Sequence, residues 1–205
     1  KSVFFVFSAA LVVAATVSFA VSGDPPDKGN KYIGAEKCKN CHEAKSKGAQ
    51  YSTWKGTKHS KAFEGLGTEE AKKAGKDKGV DNPQTSEKCL KCHQTAFGVA
   101  ADQIAAGFDT KAGVQCESCH GPGGNHMKAR MAAAGDDEEE GEMATIPDGE
   151  IIKAPKEDTC KKCHNEESPN YKPFCFKYFE KQIRHFDPRR KRTDAEVKAM
   201  ECDGK

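Results

Sequence analysis

Eight cysteines of this 205-residue chain stand in four copies of one pattern: Cys38-Lys-Asn-Cys41-His42, Cys89-Leu-Lys-Cys92-His93, Cys116-Glu-Ser-Cys119-His120 and Cys160-Lys-Lys-Cys163-His164. From ten cysteines and seven histidines, chance would yield roughly 0.02 matches. Cys-x-x-Cys-His is the attachment site of c-type haem: the two thiols add to the vinyl groups, and the following imidazole is placed under the iron. Two other readings compete with this one. Paired Cys-x-x-Cys sites can hold zinc, but zinc has no use for a histidine after every second cysteine. Disulfides within Cys-x-x-Cys close only small, strained, redox-active loops. Four covalent c-type haems are therefore expected, on Cys38, Cys41, Cys89, Cys92, Cys116, Cys119, Cys160 and Cys163, with His42, His93, His120 and His164 as proximal iron ligands.

Composition supplies the reason such a chain needs a cofactor to fold. Only 36% of residues are hydrophobic and 8% aromatic, against 31% charged, and the mean hydropathy is -0.78. A large side-chain core is out of reach. The haems, one to roughly 46 residues once a leader is set aside, would supply the apolar bulk. The expected fold is mainly α: short helices and loops wrapped around four covalently attached haems, with little β. A net charge of +2 gives no electrostatic case for a nucleic-acid partner.

The N-terminus reads as a leader. An apolar run from Val3 to Val17 is followed by Ser18-Phe19-Ala20, the small residues that a signal peptidase inspects. We expect a signal peptide over 1–20 and a tetrahaem cytochrome c domain over 21–205, in an exported, periplasmic or extracellular protein. The alternative is a retained anchor, and membrane contact is expected only in that case.

Four of the seven histidines are proximal, which leaves His59, His126 and His185. If each takes a distal position, three irons carry two imidazoles and one is short. Met127, Met131, Met143 and Met200 are candidates to complete it. His59 shares helical spacing with Tyr51, Trp54, Ala62, Phe63 and Leu66; a buried structural histidine is its alternative role. His126 follows Gly121-Pro122-Gly123-Gly124-Asn125, a turn that lets the chain leave one haem and face another, or simply a solvated loop. His185 lies on an aromatic amphipathic helix, Phe174 to Phe186, that ends at Asp187-Pro188.

Elsewhere, Thr68 is a plausible N-cap for a helix from Glu69 to Lys78, and Thr193 with Glu196 has capping-box spacing. The acidic run Asp136 to Glu140 reads as a solvated loop. Arg184, Arg189, Arg190, Lys191 and Arg192 form a basic cluster for haem propionates or an acidic redox partner. Cys175 and Cys202 are either a disulfide or free thiols.

The order of the four motifs, the stretch Ser52-Thr53-Trp54-Lys55-Gly56-Thr57-Lys58-His59 after the first, and Gly113-Val114-Gln115-Cys116-Glu117-Ser118-Cys119-His120-Gly121-Pro122-Gly123 around the third resemble the cytochrome c-554 family. The resemblance implies a mostly helical periplasmic tetrahaem carrier whose stacked haems pass electrons from an oxidase of reduced nitrogen compounds towards the quinone pool. It also implies His126 as distal ligand of the first haem, His59 of the fourth and His185 of the third, leaving the haem on Cys89 and Cys92 open. Similar tetrahaem chains form extracellular cytochrome filaments.

The expected function is electron transfer by a multihaem c-type cytochrome, relaying electrons through closely packed haems between exported redox-partner proteins. This is more an electron carrier than an enzyme, and no catalytic residue is assigned. The alternatives are a subunit that self-associates into an oligomer or conducting filament, and a reductase of a small nitrogen oxide at an open haem.

Overall fold

Two cysteines three residues apart, with a histidine four after the first, share one face when the chain is helical. The molecule uses this spacing throughout. The computed structural model describes residues 29–134 and 145–189, in which the helices are α1 (Ala35–His42), α2 (Gln50–Lys55), α3 (Ala62–Gly65), α4 (Glu69–Asp77), α5 (Glu87–His93), α6 (Cys116–His120), α7 (Gly124–Ala133), α8 (Glu157–Lys161) and α9 (Phe176–Ile183). The first three Cys-x-x-Cys-His motifs close α1, α5 and α6. In the fourth, α8 stops at Lys161, and the amides of Cys163 and His164 both donate to the Cys160 carbonyl at 3.1 and 2.9 Å. Among the described residues the β structure amounts to one isolated bridge, Tyr32 to Ile104. The mainly α expectation holds.

Residues 113–118 tie the segments around the first two motifs together. Glu117, 3% exposed, accepts hydrogen bonds from the amides of Ile33 (2.9 Å), Gly34 (2.8 Å) and Gly123 (2.7 Å). Gln115 accepts from Ala35, the first residue of α1, at 2.8 Å. Trp54 of α2 donates from Nε1 to the Val114 carbonyl at 2.8 Å. Thr95, two residues past the second motif, donates to Gly113 and accepts from the Gln115 amide. Gly113 has φ +76, and a Cβ there would lie 2.5 Å from the His59 carbonyl oxygen; the same approach lets Val114 donate to that oxygen at 2.9 Å. A side chain at this position would push the two segments apart.

The side-chain core is small. Among the described residues the buried hydrophobic residues are Ile33, Ala35, Tyr51, Trp54, Leu66 and Val80, whereas Tyr171, Tyr178, Phe179 and Phe186 are exposed. Six such residues cannot carry a chain of this length.

Three local expectations change. The 51–66 stretch is not one helix: α2 ends at Gly56, hydroxyls of Thr57 and Ser60 take the carbonyls of Trp54 and Lys55, and His59 opens a 3-10 turn. The hydroxyls satisfy the carbonyls that a continuous helix would have used. His126 belongs to the first turn of α7 instead of a loop, because the Gly123 amide before it is anchored on Glu117. His185 lies just past α9, where Arg184 turns extended at ψ 132. Thr68 caps α4 as expected, accepting from the Ala71 amide at 3.2 Å. The leader over 1–20, the run Asp136 to Glu140, Met143, Arg190 to Arg192, Thr193, Glu196, Met200 and Cys202 lie outside the described residues.

Candidate haem sites

The fold brings each non-motif histidine ring against one motif histidine. His42 and His126 have ring centroids 6.2 Å apart, His59 and His164 6.0 Å, and His120 and His185 6.0 Å. None of these pairs is local in sequence. The second motif differs, since His93 has no imidazole across from it; its Nδ1 donates to the Ala62 carbonyl at 2.7 Å. Met131, a candidate for a further ligand, is 67% exposed on α7.

Geometry tests whether these residues fit an iron between them. With a metal–imidazole bond of about 2.0 Å and roughly 1.2 Å from nitrogen to ring centre, two imidazoles on opposite sides of one metal have centroids roughly 6.3 Å apart. The three pairs match that span. Unbonded ring pairs span about 4.5–7 Å between centroids, Phe174 and Phe179 standing at 5.3 Å, so what points to ligation is the same spacing recurring in three pairs that each join a motif histidine to a non-motif one.

The electrostatics suit ligation too. Burial holds the imidazoles of His42, His59, His120 and His164 below their ordinary value, and the facing ring adds to this for the first three. A neutral imidazole is the form that binds a metal. Ring-nitrogen partners then set which nitrogen is left over: a carbonyl or carboxylate only accepts, so Nδ1 carries the proton and Nε2 is available. His120 Nδ1 donates to the Ile152 carbonyl at 2.6 Å and His185 Nδ1 to Ile183 at 2.9 Å. His126 Nδ1 donates to the Glu150 carboxylate at 2.7 Å, and Arg130 holds the other Glu150 oxygen at 3.1 Å.

Cysteines of different motifs also meet. Cys38 and Cys116 are in side-chain contact, as are Cys92 and Cys163, while Cys119 is close enough to Cys160 and Cys116 to be affected by them and to affect Cys163. Burial, with Cys160 adding to it, pushes the Cys119 thiol up to about 11. A cavity of about 170 Å³ lies against the fourth motif, between Cys163, His164, Phe174 and Phe179. Of the basic cluster, Arg184 pairs with Glu180 and Arg189 with Asp187. Cys175 is exposed.

Three positions escaped the sequence reading: Glu117, Glu150 and the Ile152 carbonyl. Glu117 left a trace, being an acid in the x position where the other motifs carry Lys39, Leu90 and Lys161. Glu150 left none.

Cysteine pairs spaced to form thioethers, each with an adjoining histidine and three with a facing imidazole, are the arrangement of a c-type cytochrome. The chain is similar to the cytochrome c554 and c-prime family, whose model matches its residues 37–121, the part that holds the first three motifs. It is also 36% identical over 130 residues to cytochrome c-554 of Nitrosomonas europaea; the match covers 59% of this chain and 53% of that protein, so the chain spans about half the length of the curated relative it matches. No solved structure matches it. No helix among the described residues is long and apolar enough to cross a membrane.

Proposed function

We propose that the chain is a tetrahaem electron carrier with three bis-imidazole irons and one open iron. The observation that carries this reading is the set of three ring pairs at 6.2, 6.0 and 6.0 Å, each joining a motif histidine to a non-motif one. On this assignment Cys38, Cys41, His42 and His126 hold the first haem. Cys116, Cys119, His120 and His185 hold the third. Cys160, Cys163, His164 and His59 hold the fourth, while Cys89, Cys92 and His93 hold the second without a facing imidazole. When bound, each haem iron supplies a one-electron couple whose potential depends on axial ligation and burial.

The chain's own contribution is placement. Contacts of Cys38 with Cys116 and of Cys163 with Cys92, with Cys119 close to Cys160, support a continuous series in the order first, third, fourth, second. Main-chain carbonyls of Ala62, Ile152 and Ile183 accept from Nδ1 of His93, His120 and His185, so each ring is oriented with Nε2 left to ligate. The physiological setting is an exported one with redox-protein partners, after removal of residues 1–20; sequencing of the native protein should begin near Val21.

Intact mass tests the reading. Protein extracted with acid and organic solvent should retain roughly 2.5 kDa beyond the polypeptide, four thioether-bound haems, and should titrate reversibly as one-electron couples. Two haems with bound zinc would overturn it. The lone ring of His93 favours a second activity, binding or reduction of a small nitrogen oxide at the second haem. Turnover with nitric oxide, nitrite or hydroxylamine tests that, and long fibres in micrographs of native material would make the filament the working form.

A further inference from the structure

Among the ring-nitrogen bonds that orient the imidazoles, one differs in kind. His93, His120 and His185 each donate to a main-chain carbonyl. His126 donates instead to a carboxylate, Glu150 Oε1, at 2.7 Å, with side chains only 13% and 11% exposed. Glu150 accepts from Arg130 through its second oxygen at 3.1 Å, and that guanidinium is itself 23% exposed. Arg130 is further fixed by a bond to the Thr145 carbonyl at 3.1 Å.

We infer that Glu150 is a positioning and redox-tuning residue, whose carboxylate draws on the Nδ1 proton of His126 and lowers the reduction potential of the iron that His126 faces. The inference rests on the assignment of His126 as distal ligand of the first haem. An imidazole whose N–H is pulled towards an anion becomes a more basic ligand and favours the higher charge on the metal. A carbonyl dipole does the same more weakly. The low exposure of both partners leaves little water to screen the charge. The Arg130 cation opposes it, so the pair sets the local charge by balance: removing the anion and removing the cation should move one couple in opposite directions.

One loop serves two sites in this way. Glu150 orients His126, and two residues later the Ile152 carbonyl orients His120 while the Ile152 amide donates to the His120 carbonyl at 3.0 Å. The two imidazoles therefore take partners of different charge from a three-residue stretch. The first and third haems, adjacent through Cys38 and Cys116, would be set apart in potential by that choice.

The test is spectropotentiometry of the holoprotein as E150Q and R130Q, with H126A as reference. E150Q keeps a hydrogen-bond acceptor but no charge. Expected is a positive shift of one low-spin couple, with the low-spin count unchanged and the others in place, and a negative shift of the same couple in R130Q. H126A identifies that couple by turning it high-spin. If E150Q loses a low-spin haem without R130Q moving any couple, Glu150 acts only as a support and the inference falls; it falls equally if no couple moves in either variant. Should E150Q fail to yield holoprotein, the sign of the R130Q shift decides alone. If H126A leaves every low-spin haem intact, the ligand assignment itself has failed, a result distinguishable from the others.

Discussion

Residues 113–118 hold residues 29–134 together through buried hydrogen bonds on Glu117, Gln115 and Thr95, whereas residues 145–189 contain no buried residue at all. The second region meets the first through His164 against His59, His185 against His120, the Ile152 backbone against His120, Glu150 against His126 and Arg130, the Thr145 carbonyl against Arg130, and an exposed pair of Lys91 with Glu167. The first region is organised by polypeptide. On the proposed assignment the second would rely on haem for attachment, because two ring pairs stand where a core would be.

The strongest way to break this contrast is to remove the fourth haem. Cys160→Ser with Cys163→Ser should take roughly 0.6 kDa off the holoprotein mass and raise proteolytic cleavage within 145–189 by roughly tenfold or more, while a fragment covering 29–134 persists. Uniform protection of both regions would contradict the division.

A smaller effect separates the two kinds of bond. Glu117→Ala strands three buried amides, each costing about 1 kcal/mol or more, so a stability loss of about 3–5 kcal/mol is expected by chemical denaturation. The counterpart in the second region, Glu180→Ala, breaks the part-buried Arg184 pair and should cost about 1 kcal/mol. Gly113→Ala falls between them at about 1–3 kcal/mol, since its left-handed φ and the nearby His59 carbonyl both oppose a methyl group.

The mildest prediction concerns acid. Burial lowers His42, His59, His120 and His164 from 6.5 in the folded chain. Above about 6.5 these groups are neutral folded and unfolded and add nothing; below it the unfolded chain takes up protons that the folded chain refuses, so stability falls as pH falls. Melting temperatures followed from pH 8 down to 4 should be level and then decline. A rise between 6.5 and 5 would contradict the burial of these rings as neutral ligands.

The motifs made the attachment residues legible, because thioether chemistry demands its residues contiguously in sequence. Counting histidines reached the number of distal candidates for the same reason: the ligand type is restricted. The partner of each ring was beyond periodicity, since His185 sits past the end of α9 and His59 opens a 3-10 turn, both outside the regular spacing that apolar patterns report. The roles of Glu117, which left only a trace as the acid inside its motif, and of Glu150, which left none, were hidden for a different reason. An isolated glutamate carries no positional signal, and its role arises only when distant amides or an imidazole are folded onto it, as Ile33 and Gly34 are onto Glu117 across more than eighty residues.

The most direct test of the central claim is a spin count on the ferric protein by electron paramagnetic resonance, calibrated against covalent haem content. Three facing pairs and an unmatched His93 predict three low-spin haems and one high-spin haem that binds nitric oxide, with H59A, H126A and H185A each converting one further haem to high spin. A wholly low-spin protein, or variants that leave the count unchanged, would contradict it.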